Sequence, residues 1–248
     1  MTELVYGLHP VTAALKYQPD ALEGLWVERE RRDQRIQKLL HEAEKRGVAV
    51  KQISRAELDR LTGHARHQGV AARTQAPPPA AGEAELEGLL AALTAPALLL
   101  VLDGIQDPHN LGACLRSADA AGAQAVVAPR DKAVGLTPAV RKVACGAAET
   151  VPFVQVTNLA RTLRRLQEQG IWLVGTAKGA SRELFETDLT GPIALVLGAE
   201  DKGLRRLTRE SCDLLVGIPM VGQVESLNVS VATGICLFEA LRQRRQKP

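Results

Sequence analysis

Apolar residues follow one pattern in the first third of the chain and another in the rest. In the first third, short apolar runs alternate with charged helical stretches. Leu25-Trp26-Val27 reads as a strand, Arg31–Arg46 as an amphipathic helix ended by Gly47, and Val48–Ile53 as a second strand. Ser54 and Glu57 have capping-box spacing, which predicts a further helix start. The turn-rich Gly63-His64-Ala65-Arg66-His67-Gln68-Gly69 leads into a last short strand, Val70–Arg73. The pattern then breaks. Pro77-Pro78-Pro79 favours extended polyproline geometry and removes three backbone donors, which predicts a semi-rigid linker over 76–96, with a short helix around Glu83–Leu93.

Beyond it the apolar runs are continuous rather than alternating: Ala97–Leu102, Ala125–Ala128, Ile171–Gly175, Ile193–Leu197 and Leu214–Ile218. Helical stretches separate them, of which Asn158–Gln169 and Asn228–Arg242 are the most regular. Continuous runs suit strands buried on both faces, hence a parallel sheet with helices on either side. The expected fold class is therefore α/β: a small unit over 1–75, a linker over 76–96 and a larger parallel-sheet unit over 97–248. A length of 248 residues, at roughly 150 per domain, agrees with that division.

Composition narrows the function classes. No apolar stretch approaches the ~18 residues of a membrane span, and the first ten residues lack a basic-then-apolar leader, so a cytoplasmic protein is expected. Cys114, Cys145, Cys212 and Cys236 are scattered with no C-x-x-C spacing, which predicts reduced thiols and no zinc or other metal site. The net charge of +3 is too small to announce nucleic acid by itself. Aromatics are only 3%, so a base-stacking surface is poorly supplied, and any RNA contact is expected mainly from Arg, Lys and backbone groups.

Ligands of open parallel sheets bind beyond the carboxyl ends of the strands. Three predicted strand exits are rich in polar residues and glycine: Asp103-Gly104-Ile105-Gln106-Asp107-Pro108-His109-Asn110-Leu111-Gly112, Gly198-Ala199-Glu200-Asp201-Lys202-Gly203, and Ile218–Gly222 running on to Ser230. No two glycines are separated by a single residue, so the dinucleotide fingerprint is excluded, and the phosphate-cradling P-loop pattern is also missing. A nucleotide-like cofactor needs another route.

The segments DPHNLGACLRSADAAGA, LVLGAEDKGLRRL and IPMVGQVESLNVSVATGICLFEALR resemble, in order and spacing, the three signature motifs of the SpoU/TrmH family of RNA ribose 2′-O-methyltransferases. Tyr6–Pro10 and His67-Gln68-Gly69 extend the resemblance into the first unit. The resemblance implies a C-terminal trefoil knot, S-adenosylmethionine as donor, and a homodimer with composite active sites. The implied reaction is 2′-O-methylation of a guanosine in large-subunit (23S) ribosomal RNA. Transfer RNA, another ribosomal nucleotide, and a non-catalytic RNA-binding factor remain alternatives.

By the same resemblance, Gly198, Ile218 and Leu227 are the cofactor positions. Arg116, Asn110, Glu200, Ser226 and Asn228 are the catalytic candidates. Arg116 suits a bidentate grip on the phosphate beside the target ribose; its use as general base is costly, and proton removal assisted by phosphate is the alternative. Glu200 is expected to orient Arg116 or a loop donor, and Ser226 or Asn228 to cap the last helix. Asn110, near a helix start, is expected to lie by the same helix end as Arg116. Glu225 departs from the small residue expected in its motif. His9, His64, Arg66 and His67 are candidates for an RNA-facing surface, and His109 for a weaker base assignment. Lys202, Arg205, Arg206, Arg242, Arg244, Arg245 and Lys247 read as solvated helix faces, with phosphate contact as a second reading.

Overall fold

The computed structural model describes residues 2–17, 19–75, 81–200 and 202–246. The three-proline stretch lies outside them. The chain separates into two compact units, residues 1–79 and 80–248.

In the first unit β1 (Thr2–Tyr6), α1 (Leu8–Tyr17), β2 (Leu22–Glu28), α2 (Gln34–Lys45), β3 (Val50–Ile53), α3 (Arg55–Leu61) and β4 (Val70–Gln75) follow one another. The sheet order is β1-β4-β2-β3, with β4 antiparallel to both neighbours and β3 parallel to β2. Asp33 caps α2, and Ser54 and Glu57 form the expected reciprocal capping box on α3. Leu8, Val11 and Leu15 of α1 and Ile36, Leu39 and Ala43 of α2 pack on Leu25, Val27, Val70 and Ala72. The two sequence motifs of this unit meet: Gln68 Oε1 accepts the Leu8 N–H at 3.1 Å, and Gly7 N donates to Val70 O at 3.1 Å.

His67 departs from the expectation of an RNA-facing surface. It is buried, its Nε2 donates to the Asp59 carboxylate at 2.9 Å, and its Nδ1 accepts the Gly69 N–H at 3.0 Å. An imidazole with both nitrogens satisfied inside the protein braces a turn rather than meeting a partner. His9, His64 and Arg66 are exposed.

The second unit begins with α4 (Glu83–Ala91) and β5 (Leu98–Asp103), followed by α5 (Pro108–Ala121), β6 (Ala125–Pro129), α6 (Pro138–Ala144), α7 (Ala147–Thr150) and β7 (Phe153–Val156). Then come α8 (Leu159–Glu168), β8 (Trp172–Thr176), β9 (Arg182–Glu183), β10 (Ile193–Gly198), α9 (Arg206–Ser211), β11 (Leu214–Gly217) and α10 (Val229–Gln246). The seven strands are parallel, in the order β7-β6-β5-β10-β8-β11-β9. Along β5, Leu98, Leu100 and Leu102 enter the core shared with α5 and α10, while Leu99 and Val101 enter the core shared with α4 and α8. That two-sided burial explains the unbroken apolar run.

The short helix expected around Glu83–Leu93 is present as α4, whose Leu86 is buried in the second unit's core and whose Glu83 and Glu87 pair with Arg161 and Arg165 of α8 at 3.1 and 2.8 Å. One expectation changes here. Arg244, read as a solvated helix residue, is half-buried and donates to the carbonyls of Pro96, Ala97, Leu189 and Gly191. A long side chain with several donors can tie off carbonyls that no strand partner satisfies. Among the described residues no helix is long and apolar enough to cross a membrane.

From β5 the sheet grows through β6 and β7 in one direction, whereas β8, β11 and β9 lie beyond β10 in the other. The winding reverses between β5 and β10, the place where parallel α/β sheets open a ligand crevice. After β11 the chain returns to pack α10 on α5 and β10.

Candidate active site

The carboxyl ends of β5, β10, β8 and β11 stand side by side, with Gly198 in register with Asp103. Loop segments after three of these strands wall two adjoining hollows. One, of about 590 Å³, lies between the exits of β8 and β11 and is lined by Lys178, Arg182, Ile218, Met220, Glu225 and Leu227 among others. The other, of about 450 Å³, lies between the exits of β8 and β10 and is lined by Gly198, Ala199, Glu200, Leu204, Ser226 and Val229 among others. Thr176, Lys178, Glu225, Ser226 and Leu227 belong to both walls. Both volumes fall in the range of roughly 300–1,000 Å³ typical of small-ligand sites.

Each wall has a local cause. Gly203 N donates to Ala199 O at 2.8 Å, folding the loop after β10 back on itself. A Cβ on Gly198 would overlap the backbone of Gly203 and Leu204. The glycine is therefore required by the protein's own turn, before any ligand is considered. Asp103 holds that turn from β5: it is buried, its Oδ2 accepts the Arg205 N–H at 2.8 Å, and the Arg205 Nε lies 3.5 Å from its Oδ1.

Glu200 gathers three elements. Its Oε1 accepts from Asn110 Nδ2 on α5 at 3.2 Å, from the Val229 N–H of α10 at 3.3 Å, and from Asn228 Nδ2. Asn228 also donates to Asn110 Oδ1 at 3.0 Å, and its own Oδ1 accepts from Ser230 N and Oγ at 2.9 and 2.6 Å. Asn228 thus caps α10, one of the two residues expected to do so. A carboxylate at a helix start is favoured by the unpaired amides and the dipole there. Across the mouth of both hollows, Lys178 Nζ meets Glu225 Oε2 at 2.6 Å, and this ammonium holds the Glu225 carboxyl below its ordinary value.

Residues 97–238 match the model of the SpoU rRNA methylase family. The chain belongs to the SpoU family. Residues 4–80 match a second model, described as RNA 2′-O ribose methyltransferase substrate binding. Curated relatives named 23S rRNA (guanosine-2′-O-)-methyltransferase RlmB include that of Shewanella oneidensis, 56% identical and covering 98% of each chain. That of Pseudomonas syringae pv. tomato is 57% identical over 99% of this chain and 97% of its own. That of Escherichia coli K12 is 53% identical over 98% and 100%. Among solved structures, the SpoU methyltransferase AviRb of Streptomyces viridochromogenes in complex with AdoMet superposes with a TM-score of 0.78 at 26% identity, covering 98% of this chain and 91% of that one. A structure described as an RNA 2′-O ribose methyltransferase gives 0.77 at 29% identity, covering 98% and 89%.

Within this SpoU chain, Gly198, Ile218, Leu227, Glu200 and Ser226 line the hollows, and Asn110 and Asn228 are fastened to Glu200 at their rim. Arg116 is elsewhere. Six residues along a helix advance about 9 Å and turn about 600°, so Arg116 leaves the face that carries Asn110. It is exposed, lines neither hollow, and directs Nη1 to Cys145 Sγ at 3.7 Å, so Glu200 is engaged with amide donors rather than with it. His109 is exposed and pairs with Asp107, the cap of α5, at 3.3 Å. The motifs leave out Asp103, read only as part of a polar strand exit, and the β8 exit, Thr176-Ala177-Lys178. The available signal was their position at the end of a predicted parallel strand. Among the described residues no group of three or more His, Cys, Asp or Glu is gathered as for a metal ion.

Proposed function

We propose that this SpoU chain transfers the methyl group of S-adenosylmethionine to the 2′-hydroxyl of a guanosine in 23S ribosomal RNA. The observation that carries the reading is that all three signature segments reach one crevice: two line the hollows beside the reversal of winding, and Asn110 of the first is joined to them through Glu200. The donor fits the crevice in kind, because apolar side chains, close-approaching backbone and charged groups alternate around it. When bound, it supplies a methyl group already activated by its sulfonium charge.

The chain's own task is to hold, align and handle one proton. Gly198, Ile218 and Leu227 bracket the donor, and the Ile218 and Leu227 side chains keep water from its apolar parts. Glu200, fixed by Asn110, Asn228 and the α10 amide, sets the loop after β10 against the start of α10. Ser226 stands on the shared wall, placed to touch either ligand.

Arg116 acts on the site of a second copy, gripping the phosphate beside the target ribose while the hydroxyl loses its proton. Its distance from its own chain's hollows supports this composite arrangement, as do the exposed apolar Val231 and Phe238 on α10, 50% and 48% accessible, which suit a homodimer contact. The packing of α10 back on α5 and β10 after β11 fits a C-terminal trefoil knot. The proposed ribosomal RNA substrate places the enzyme in the cytoplasm.

The test is transfer of labelled methyl from S-adenosylmethionine to protein-free 23S rRNA by the purified full chain, with the product mapped by mass spectrometry. Label on one guanosine ribose is expected. Label confined to transfer RNA, or RNA binding without transfer, overturns the proposal.

A further inference from the structure

In the first unit, the sheet face turned away from α1 and α2 carries Tyr6 and Trp26 outside the helix-packed core cluster, with Ala71 fully buried on the same face. Leu25, Val27, Val70 and Ala72 point to the helices, so their neighbours in sequence point the other way. Tyr6 and Trp26 both pair with Ala71, from β1 and β2, which puts Tyr6, Ala71 and Trp26 in one row across three strands. Lys51 continues the row on β3. Leu4, Arg73 and Gly24 form the next row on the same face.

Gly24 shapes this face by having no side chain. A Cβ there would sit 2.9 Å from Trp26 Cη2 and 3.2 Å from Cζ2, so the six-membered ring lies against the Gly24 backbone. The Arg73 guanidinium carbon is 5.5 Å from the Trp26 ring centroid, a cation–π distance. Tyr6 and Trp26 are half-buried, Arg73 and Lys51 are exposed, and no acidic residue stands in the two rows. Only seven aromatic residues occur in the whole chain, two Trp, two Tyr and three Phe, and two of them flank one small alanine here.

We propose that this face is a stacking platform for an unpaired base of the RNA substrate. Trp26 and Tyr6 supply the π surfaces, while Arg73 and Lys51 take the phosphates on either side. Every base has a π face, so such a platform holds single-stranded or looped RNA without demanding a particular sequence, and it discriminates against duplex, whose bases are already stacked. The inference rests on the RNA substrate proposed above and assigns the first unit a specific way of gripping it. The low aromatic content pointed away from any such surface; placement by the sheet register outweighs abundance.

The experiment uses the full chain carrying Trp172→Phe, which leaves Trp26 as the sole tryptophan. Addition of protein-free 23S rRNA is expected to quench its fluorescence, and a fully paired RNA duplex to quench it much less. Trp26→Ala is expected to weaken rRNA binding by about fivefold or more, and Trp26→Phe to stay within about twofold of the parent. S-adenosylmethionine affinity should be the same in all three, which reports that the second unit is folded. Arg73→Gln, which keeps the platform's shape, is expected to reduce the slope of log affinity against log salt by about one. No quenching, equal quenching by duplex, or a folded Trp26→Ala that binds rRNA like its parent overturns the platform. An unchanged salt slope in Arg73→Gln does so even if Trp26→Ala fails to fold. A parent protein that neither binds nor methylates 23S rRNA overturns the proposed function instead, so the two failures read differently.

Discussion

Gly198 carries the sharpest requirement of any single residue in the crevice. Its Cα faces the backbone of Gly203 and Leu204 rather than a movable side chain, so a methyl group there cannot be accommodated by a rotamer change. Gly198→Ala is expected to lower stability by about 1–3 kcal/mol and to weaken S-adenosylmethionine binding, because the turn that bears Glu200 must open. Thermal melting and calorimetry check the two effects; a variant with unchanged cofactor affinity would dissociate Gly198 from the site. Gly198, Asn110, Glu200 and Asn228 were singled out in the sequence through the motif resemblance, and the structure brings all four to the crevice and its rim. The turn-holding role of Asp103 and the presence of Lys178 were not, since a strand-end carboxylate and a loop lysine look like many others until a neighbouring strand shows what each touches.

Among the elements, α10 shows how far a periodic pattern reaches. Its start at Asn228 is written locally, in a side chain that returns to the Ser230 amide. What holds its far end is not local. Glu239 is buried and accepts from Arg242 Nε and Nη2 and from Gln243 Nε2, each at 2.8 Å, while Gln243 also donates to Thr187 O. The Arg242 hydrogen bonds, joined by that of Gln243, hold the Glu239 carboxyl below its ordinary value of 4.5. Because the folded value lies below the unfolded one, this stabilisation is complete above pH 4.5 and fades as the pH falls below it. Glu239→Gln is expected to melt roughly 2 °C lower at pH 7, with the gap to the parent narrowing below pH 4.5; a gap that does not change with pH would refute the assignment. Arg242 stays exposed, as expected, but the expectation of a solvated Arg244 failed, because carbonyls of distant loops, from Pro96 to Gly191, form the surface on which its guanidinium rests.

For the whole molecule, the composite site proposed above has a consequence that no single chain can mimic. Co-expressing Arg116→Ala with Glu200→Ala subunits, each inactive alone, is expected to restore about a quarter of parental activity. Half of a random mixture of dimers is mixed, and each mixed dimer keeps one intact site. Activity that stays at baseline would place Arg116 in the site of its own chain. The amino-acid pattern alone determined that this is an α/β protein with a parallel sheet, and which strand exits are rich in polar residues and glycine. Both follow from local causes: burial on two faces makes a run continuous, and polar residues and glycines collect where a strand leaves the core. Tertiary structure decided what depends on long-range pairing. The position of β10 between β5 and β8 brings Gly198 beside Asp103; the return of α10 seats Asn228 on Glu200; the register of three short strands lines up Tyr6, Ala71 and Trp26. Neighbours across a sheet are chosen by the whole chain's packing, and no window of sequence contains that choice.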